Sequence, residues 1–304
     1  MTPDILCLGE PMVEFNQQPD GKYLSGYGGD TSNCAVAAAR QGARVGFVTH
    51  LGADPFGDRF MALWQREGVD TSTVKQVATA PTGVYFVTHE PDGHAFSYFR
   101  AGSASSLMSA ADLPQDALRA TRILHVSGIS QAISDSAADA VFDAISIVKA
   151  AGGKVSYDTN LRLKLWPLSR ARAVIHAAMA MCDIALPGLE DARQLTGLEE
   201  PDAIADFYLG LGAEIVALTL GEEGTLVSTP HERRQIQGRR VKALDATAAG
   251  DTFDGAFLAR LVAGDDCFVA AEYANAAAAL STQGYGAVAP MPNADAVQTF
   301  LQGA

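Results

Sequence analysis

Residues 245–251 read Asp245-Ala246-Thr247-Ala248-Ala249-Gly250-Asp251, between a strand-like run, Arg240 to Leu244, and a helical run from Thr252. Residues as small as Ala248, Ala249 and Gly250 let backbone N–H groups approach a ligand. A helix start adds the positive end of a dipole, and together these suit a phosphate. Asp251 sets a base beside that cradle. The same residues also suit a plain tight turn capping a helix, so the rest of the chain has to decide.

Far upstream, Gly28-Gly29-Asp30-Thr31-Ser32-Asn33 runs into CAVAAARQGARVGFVTHLGADPFG. The two stretches resemble the paired signatures of the ribokinase-like (PfkB) carbohydrate kinases, a glycine pair near the N-terminus and D-T-x-G-A-G-D near the C-terminus. Ala246 and Ala248 depart from the second signature. The resemblance covers essentially the whole chain. It implies a ribokinase-like three-layer α/β/α sandwich with a small antiparallel β lid: one domain over residues 1–304, with the lid formed by about 12–32 and 81–101.

The composition agrees with that expectation. The 304 residues, 48% of them hydrophobic, suffice for one large core or a main domain with a small appendage. A formal net charge of −13 argues against nucleic acid and anionic membrane surfaces, which need a concentrated positive face. An anionic substrate must therefore meet local arginines. Met-Thr-Pro-Asp leads straight into the strand-like Ile5 to Leu8 with no basic n-region, so a cytoplasmic location is expected. Cys7, Cys34, Cys182 and Cys267 show no C-x-x-C spacing and read as free, buried thiols.

Along the chain, β-branched runs alternate with helical patterns, as in a parallel sheet covered by helices on both faces. Ile5 to Leu8, Arg44 to Thr49, Arg122 to Val126, Lys154 to Tyr157, Ile184 to Leu186 and Glu214 to Leu220 read as core strands. Asn33 to Gln41, Pro55 to Glu67, Ser134 to Ala150, Arg170 to Met181, Glu190 to Leu195 and Ala203 to Leu211 read as helices. Two extended runs, Thr82 to Thr88 and Ala95 to Arg100, break the rhythm and form a hairpin around His89-Glu90-Pro91-Asp92-Gly93-His94. With Val13 to Tyr27 they make the expected lid, and a lid excludes water from a transferred phosphoryl group.

Other chemistries find little support. Pro91 and Gly93 forbid the helix of an H-E-x-x-H zinc site, and the spacing is one residue too long. No G-x-S-x-G frames a nucleophile, no G-x-x-x-x-G-K-[ST] appears, and no G-x-G-x-x-G follows the first strand.

What the resemblance implies for the site is more specific. Asp251 would be the catalytic base and the amides of residues 248 to 251 the anion hole, with ATP and Mg²⁺ as cofactors. Thr219, Gly221 and Gly224 match the T-x-G-x-x-G loop beside the nucleotide phosphates, though a bare turn between strands reads equally from these residues. Asn160 and Gly250 join the ATP set, and Asn275 and Ala278 match positions flanking adenine. Where the family has N-x-x-E, this chain has Gly188 and Asp191; Asp191 would act on the metal through water, or be a first-turn charge on a helix.

Tyr98-Phe99-Arg100-Ala101-Gly102-Ser103-Ala104 and Asp158-Thr159-Asn160-Leu161-Arg162-Leu163-Lys164-Leu165-Trp166 resemble the 2-keto-3-deoxygluconate kinases of the family. Arg100 and Arg162 offer guanidinium forks suited to a carboxylate, which neutral sugars lack. Gly29 and Asn33 would meet sugar hydroxyls, Tyr85 and Tyr98 would be lid contacts, and Asp251 would take the proton from the C6 hydroxyl. The alternatives are a kinase for another sugar, of fructokinase, ribokinase or 5-dehydro-2-deoxygluconokinase type, and a non-catalytic sugar or nucleotide sensor. The partners expected are a small sugar acid and ATP, with a homo-oligomer formed through the lid.

Overall fold

The computed structural model describes residues 2–18, 20–90 and 93–303, and its first strand already touches both halves of the core. Strand β1 (Ile5–Leu8) sends Ile5 and Cys7 into one apolar cluster and Leu6 and Leu8 into another, all four buried. A strand that is apolar on both faces belongs inside a helix-covered sheet. The later strands are β2 (Met12–Gln17), β3 (Tyr23–Gly28), β4 (Val45–Gly52), β5 (Val74–Val77), β6 (Gly83–Glu90), β7 (Gly93–Phe99), β8 (Ile123–Ser127) and β9 (Lys154–Asp158). They are followed by β10 (Ile184–Leu186), β11 (Ile215–Thr219), β12 (Gly224–Ser228) and β13 (Arg233–Gln237).

The main sheet has the order β13-β12-β11-β10-β9-β8-β1-β4-β5. It is parallel from β11 to β5 and ends in the antiparallel pairs β11–β12 and β12–β13. The helices are α1 (Asp30–Arg40), α2 (Pro55–Glu67), α3 (Gln115–Ala120), α4 (Gly128–Ala132), α5 (Asp135–Ala150), α6 (Leu168–Met179), α7 (Leu189–Thr196), α8 (Pro201–Gly210), α9 (Ala249–Ala263), α10 (Cys267–Ser281) and α11 (Ala294–Gln302). Buried side chains of α1, α2, α9, α10 and α11 pack in the cluster that holds Ile5 and Cys7. Those of α3 and α5 to α8 pack in the cluster that holds Leu6 and Leu8, so the sandwich has three layers.

The lid is a second sheet of order β3-β2-β6-β7. It is not wholly antiparallel as expected: β2–β3 and β6–β7 are antiparallel hairpins, but β2 and β6 pair in parallel. Both of these strands leave the body from the same end of the main sheet, so they point the same way. The lid is also shorter at its first segment than expected, because Gly28 ends β3 and α1 opens at Asp30. The hairpin turn at Pro91 and Asp92 lies outside the described residues. Arg240 to Leu244, expected as a strand, is irregular, and the amides of Leu244 and Asp245 donate to the Thr282 carbonyl instead of to a strand neighbour.

Candidate active site beneath the lid

Glu10, Asp158, Gly188 and Thr219 stand at or just beyond the carboxyl ends of β1, β9, β10 and β11, where ligands bind in open parallel sheets. A cleft of about 1720 Å³ lies between these ends, the lid and the start of α9. That exceeds the roughly 300–1,000 Å³ of a single small-ligand pocket and leaves room for two ligands side by side.

Asp251 is in the first turn of α9, and its Oδ2 accepts a hydrogen bond of 2.8 Å from Asn33 Nδ2 on α1. Burial, reinforced by the charge of Asp30, pushes its pKa up to about 7, against the Asn33 bond and the Arg162 guanidinium. Burial also holds the Asp158 and Asp254 carboxyls well above their ordinary range. Just before α9, Ala248 adopts φ 60°, the left-handed region where alanine is less favourable than glycine. The Ala249 amide donates to Ala246, but the amides of Gly250 and Asp251 find no acceptor among the described residues. A Cβ added at Gly250 would meet nothing within 4 Å, so there is open space beside this helix start. A helix start with unpaired amides and room before it can take an anion.

On the sugar side the structure brings Gly29, Asn33, Tyr85, Tyr98, Arg100 and Arg162 to the wall of one cleft. Gly29 has φ 101°, and a Cβ there would collide with the Glu10 carbonyl oxygen. Asn33 Oδ1 is buried without a partner, an acceptor left for a ligand donor. Arg162 donates from Nη1 to the Leu161 carbonyl at 2.8 Å and forms no ion pair among the described residues. Its charge lowers the pKa of both Asp251 and Asp191 against the effect of their burial.

Arg100 differs from its expected role as a free fork. Its Nε donates to Glu10 Oε2 at 2.8 Å and its Nη2 to the same oxygen. Sequence reasoning missed Glu10 and also Glu14, whose Oε2 accepts from the Tyr85 hydroxyl at 2.5 Å. Both carboxylates line the cleft, and burial raises the pKa of each. Their one signal in the sequence is acid within the apolar run Gly9-Glu10-Pro11-Met12-Val13-Glu14.

The residues expected to hold ATP divide. Asn160, Thr219 and Gly250 line the cleft, and Gly221 lines a smaller pocket beside it with Gly188 and Asp191. Asn160 sits at φ 27° and donates from Nδ2 to Asp30 Oδ2 at 3.0 Å. Asp191 lines the cleft and accepts from the Leu161 amide on Oδ2 at 2.8 Å. Gly224, Asn275 and Ala278 line neither pocket. Gly224 has φ 97° and lets β12 press on the Ile236 carbonyl. Asn275 accepts from Thr225 Oγ1 at 2.7 Å and donates to the Ile236 carbonyl at 3.1 Å, tying α10 to the sheet edge. Ala278 packs against the core. Among the described residues no group of His, Cys, Asp or Glu forms a metal cage, no helix is long and apolar enough to cross a membrane, and all four cysteines are free and buried.

A ribokinase-like sandwich with a large cleft at the carboxyl ends of its strands is the architecture of small-molecule phosphotransferases. The chain belongs to the pfkB family of carbohydrate kinases, whose description matches residues 2–294. It is 31% identical to the 2-dehydro-3-deoxygluconokinase of Bacillus subtilis, over 99% of this chain and 96% of that one. It is also 31% identical to the probable fructokinase-4 of Arabidopsis thaliana, over 98% of this chain and 97% of that one. Among solved structures it resembles the fructokinase of Xylella fastidiosa with bound ATP, at a TM-score of 0.91 and 27% identity over 98% of each chain.

Proposed function

We propose that this carbohydrate kinase transfers the γ-phosphoryl group of ATP to the C6 hydroxyl of 2-keto-3-deoxygluconate, giving 2-keto-3-deoxy-6-phosphogluconate. The observation that carries the choice of a sugar acid is Arg162, a guanidinium on the cleft wall next to the base with no carboxylate partner of its own among the described residues. A neutral sugar leaves that guanidinium without an ion-pair partner, whereas a sugar carboxylate gives it a bidentate one. The similarity to a 2-dehydro-3-deoxygluconokinase agrees, and equal similarity to a fructokinase keeps the neutral sugar as the second reading.

Asp251 takes the hydroxyl proton, and a base with a pKa near 7 is well matched to that task. Asn33 orients the carboxylate through the 2.8 Å bond and offers Oδ1 to a sugar hydroxyl. The free amides of Gly250 and Asp251 receive charge on the transferred group. ATP would lie at the start of α9, where those amides lack acceptors among the described residues and a Cβ at Gly250 would meet nothing within 4 Å, with Thr219, Gly221 and Asn160 along the phosphates. Asp191 would be the residue that acts on Mg²⁺, through water, and the ion would neutralise phosphate charge when bound. The setting we propose is the cytoplasm, where ATP is at hand and free thiols persist, and the assembly a homo-oligomer joined through the lid.

The test is ADP release with Mg-ATP across 2-keto-3-deoxygluconate, its galacto epimer, fructose, ribose and adenosine, with Arg162→Ala alongside. Preference for the keto-deoxy acid, lost mainly in the variant, is the expected result. Fastest turnover of a neutral sugar with little effect of the variant would overturn the substrate while leaving the kinase intact.

A further inference from the structure

All four strands of the lid join the body beside one residue, Glu10. Glu10 itself lies between β1 and β2. Gly29, just beyond β3, presses so closely on the Glu10 carbonyl that a Cβ would collide with it. Gly83 opens β6, and a Cβ there would lie 2.9 Å from Glu10 Oε1. Arg100, just beyond β7, ion-pairs with Glu10 Oε2, and Ser103 Oγ donates to Oε1 at 2.6 Å. Glu10 is 1% exposed and Arg100 8%, yet both line the cleft. Arg100 spends Nε and Nη2 on Glu10, while its Nη1 meets no acceptor among the described residues.

We infer that Glu10 is a positioning residue for the transfer reaction: by holding Arg100 it keeps the free Nη1 edge toward the substrate's anionic group and ties that contact to the four crossings of the lid. The identity of the anionic group rests on the sugar-acid reading; the role at the lid crossings does not. A buried guanidinium without a partner is costly, so an empty cleft needs Glu10 to compensate Arg100. The same pairing fixes the plane of the fork, and a planar fork gives direction to a carboxylate contact. A ligand carboxylate on Nη1 then bears on the chain where every lid strand begins or ends.

Two substitutions separate holding from charge. Glu10→Gln keeps an acceptor for Arg100, and the Ser103 hydroxyl can turn to suit the amide. Glu10→Ala removes both acceptor and charge. Steady-state kinetics with 2-keto-3-deoxygluconate and with fructose are measured together with amide hydrogen exchange of residues 12–17 and 83–90, with and without the better substrate. Glu10→Gln is expected to lower KM for the acid about tenfold, the scale of removing one desolvated charge, and to leave KM for fructose within about twofold. Glu10→Ala is expected to raise KM for the acid by about the same factor. Its lid strands should exchange faster than the wild type's when empty and should gain no protection from substrate. If both variants shift the two substrates by one common factor, or if Glu10→Ala keeps the protection, Glu10 is a core residue only and the inference falls. Should the Ala variant fail to fold, an unchanged KM for the acid in Glu10→Gln overturns the inference by itself. Should the wild type prefer fructose, the sugar-acid reading falls and the exchange measurement alone decides Glu10: lost protection upholds it, retained protection overturns it.

Discussion

A buried carboxyl with a pKa near 7 ties catalysis and stability to pH through one residue. In the role proposed for it, Asp251 would act as a base only when ionised, so kcat/KM should climb about tenfold per pH unit below its pKa of about 7 and level off above it. Asp251→Asn should lower turnover by about 10²- to 10⁴-fold while ATP still binds, as rate assays and calorimetric titration can check. Stability moves the other way. The folded pKa lies above the unfolded value of 3.8, so the native state binds more protons, and its stability falls as pH rises from there to about 7. The Asn variant lacks that burden: it should melt above the wild type at pH 8, with the gap closing toward pH 4, and equal melting temperatures at pH 8 would refute the account. Ala248 carries a different cost. At φ 60° an alanine is less favourable than glycine, so Ala248→Gly should stabilise the fold by up to about 1 kcal/mol in denaturant titration without loss of turnover. Such residues differ in how far the sequence shows them. Asp251 and Arg162 sit in local motifs that spell their chemistry, whereas Glu10 gains its meaning from Arg100, 90 positions away, and only the fold brings the two together.

Catalytic geometry at the scale of elements depends on how closely α1 crosses α9, because Asn33 is on one and Asp251 on the other. Gly255 makes the approach possible: a Cβ there would collide with the Cys34 carbonyl and lie 2.6 Å from Ala37 Cβ and 2.8 Å from the Ala38 amide. In an isolated helix Gly→Ala gains about 1 kcal/mol. Here the neighbours are mostly backbone that cannot yield, and overpacking of this kind costs about 1–3 kcal/mol. Gly255→Ala should therefore destabilise the protein and raise KM by pulling Asn33 from Asp251; a stabilised, fully active variant would show that the helices have slack. Element boundaries were legible where their stop signals are local. Asp54 caps α2 by accepting from the Phe56 and Gly57 amides, Pro55 opens it, and Gly68 closes it at φ 74°, so Pro55 to Glu67 could be read from the residues alone. Arg240 to Leu244 misled because strand propensity needs a partner edge. β13 ends at Gln237, and the chain beyond it bonds to Thr282 between α10 and the C-terminal loop.

Shape at the scale of the molecule turns on a lid that is apolar on both faces. Met12, Glu14, Tyr85, Val87, Phe96 and Tyr98 point into the cleft. By strand alternation Phe15, Tyr23, Phe86 and Phe99 share the opposite face, where Phe15 stacks on Phe86 at 5.0 Å and Tyr23 and Phe99 meet Phe86 edge-on. A sheet with one solvated face normally carries polar side chains there. Here Phe99 is 64% exposed and Tyr23 41%, on the edge strands β7 and β3, whose outer backbone groups have no neighbour strand. Exposed aromatic surface beside open edges is what a second sheet would cover. The sequence foretold a lid from the hairpin at residues 82–100, but it did not reveal this aromatic face, since its members come from four strands and converge only when the registers are known. If two lids pack face to face, light scattering should give a dimer at micromolar concentration for the wild type. Phe99→Glu should give a monomer with unchanged far-ultraviolet dichroism, because the added charge would be buried only in the dimer. The monomer should also bind sugar more weakly, since an unsupported lid closes less firmly over the cleft. A wild type that is monomeric at all concentrations would leave the aromatic face as part of the lid's own core and refute assembly through it.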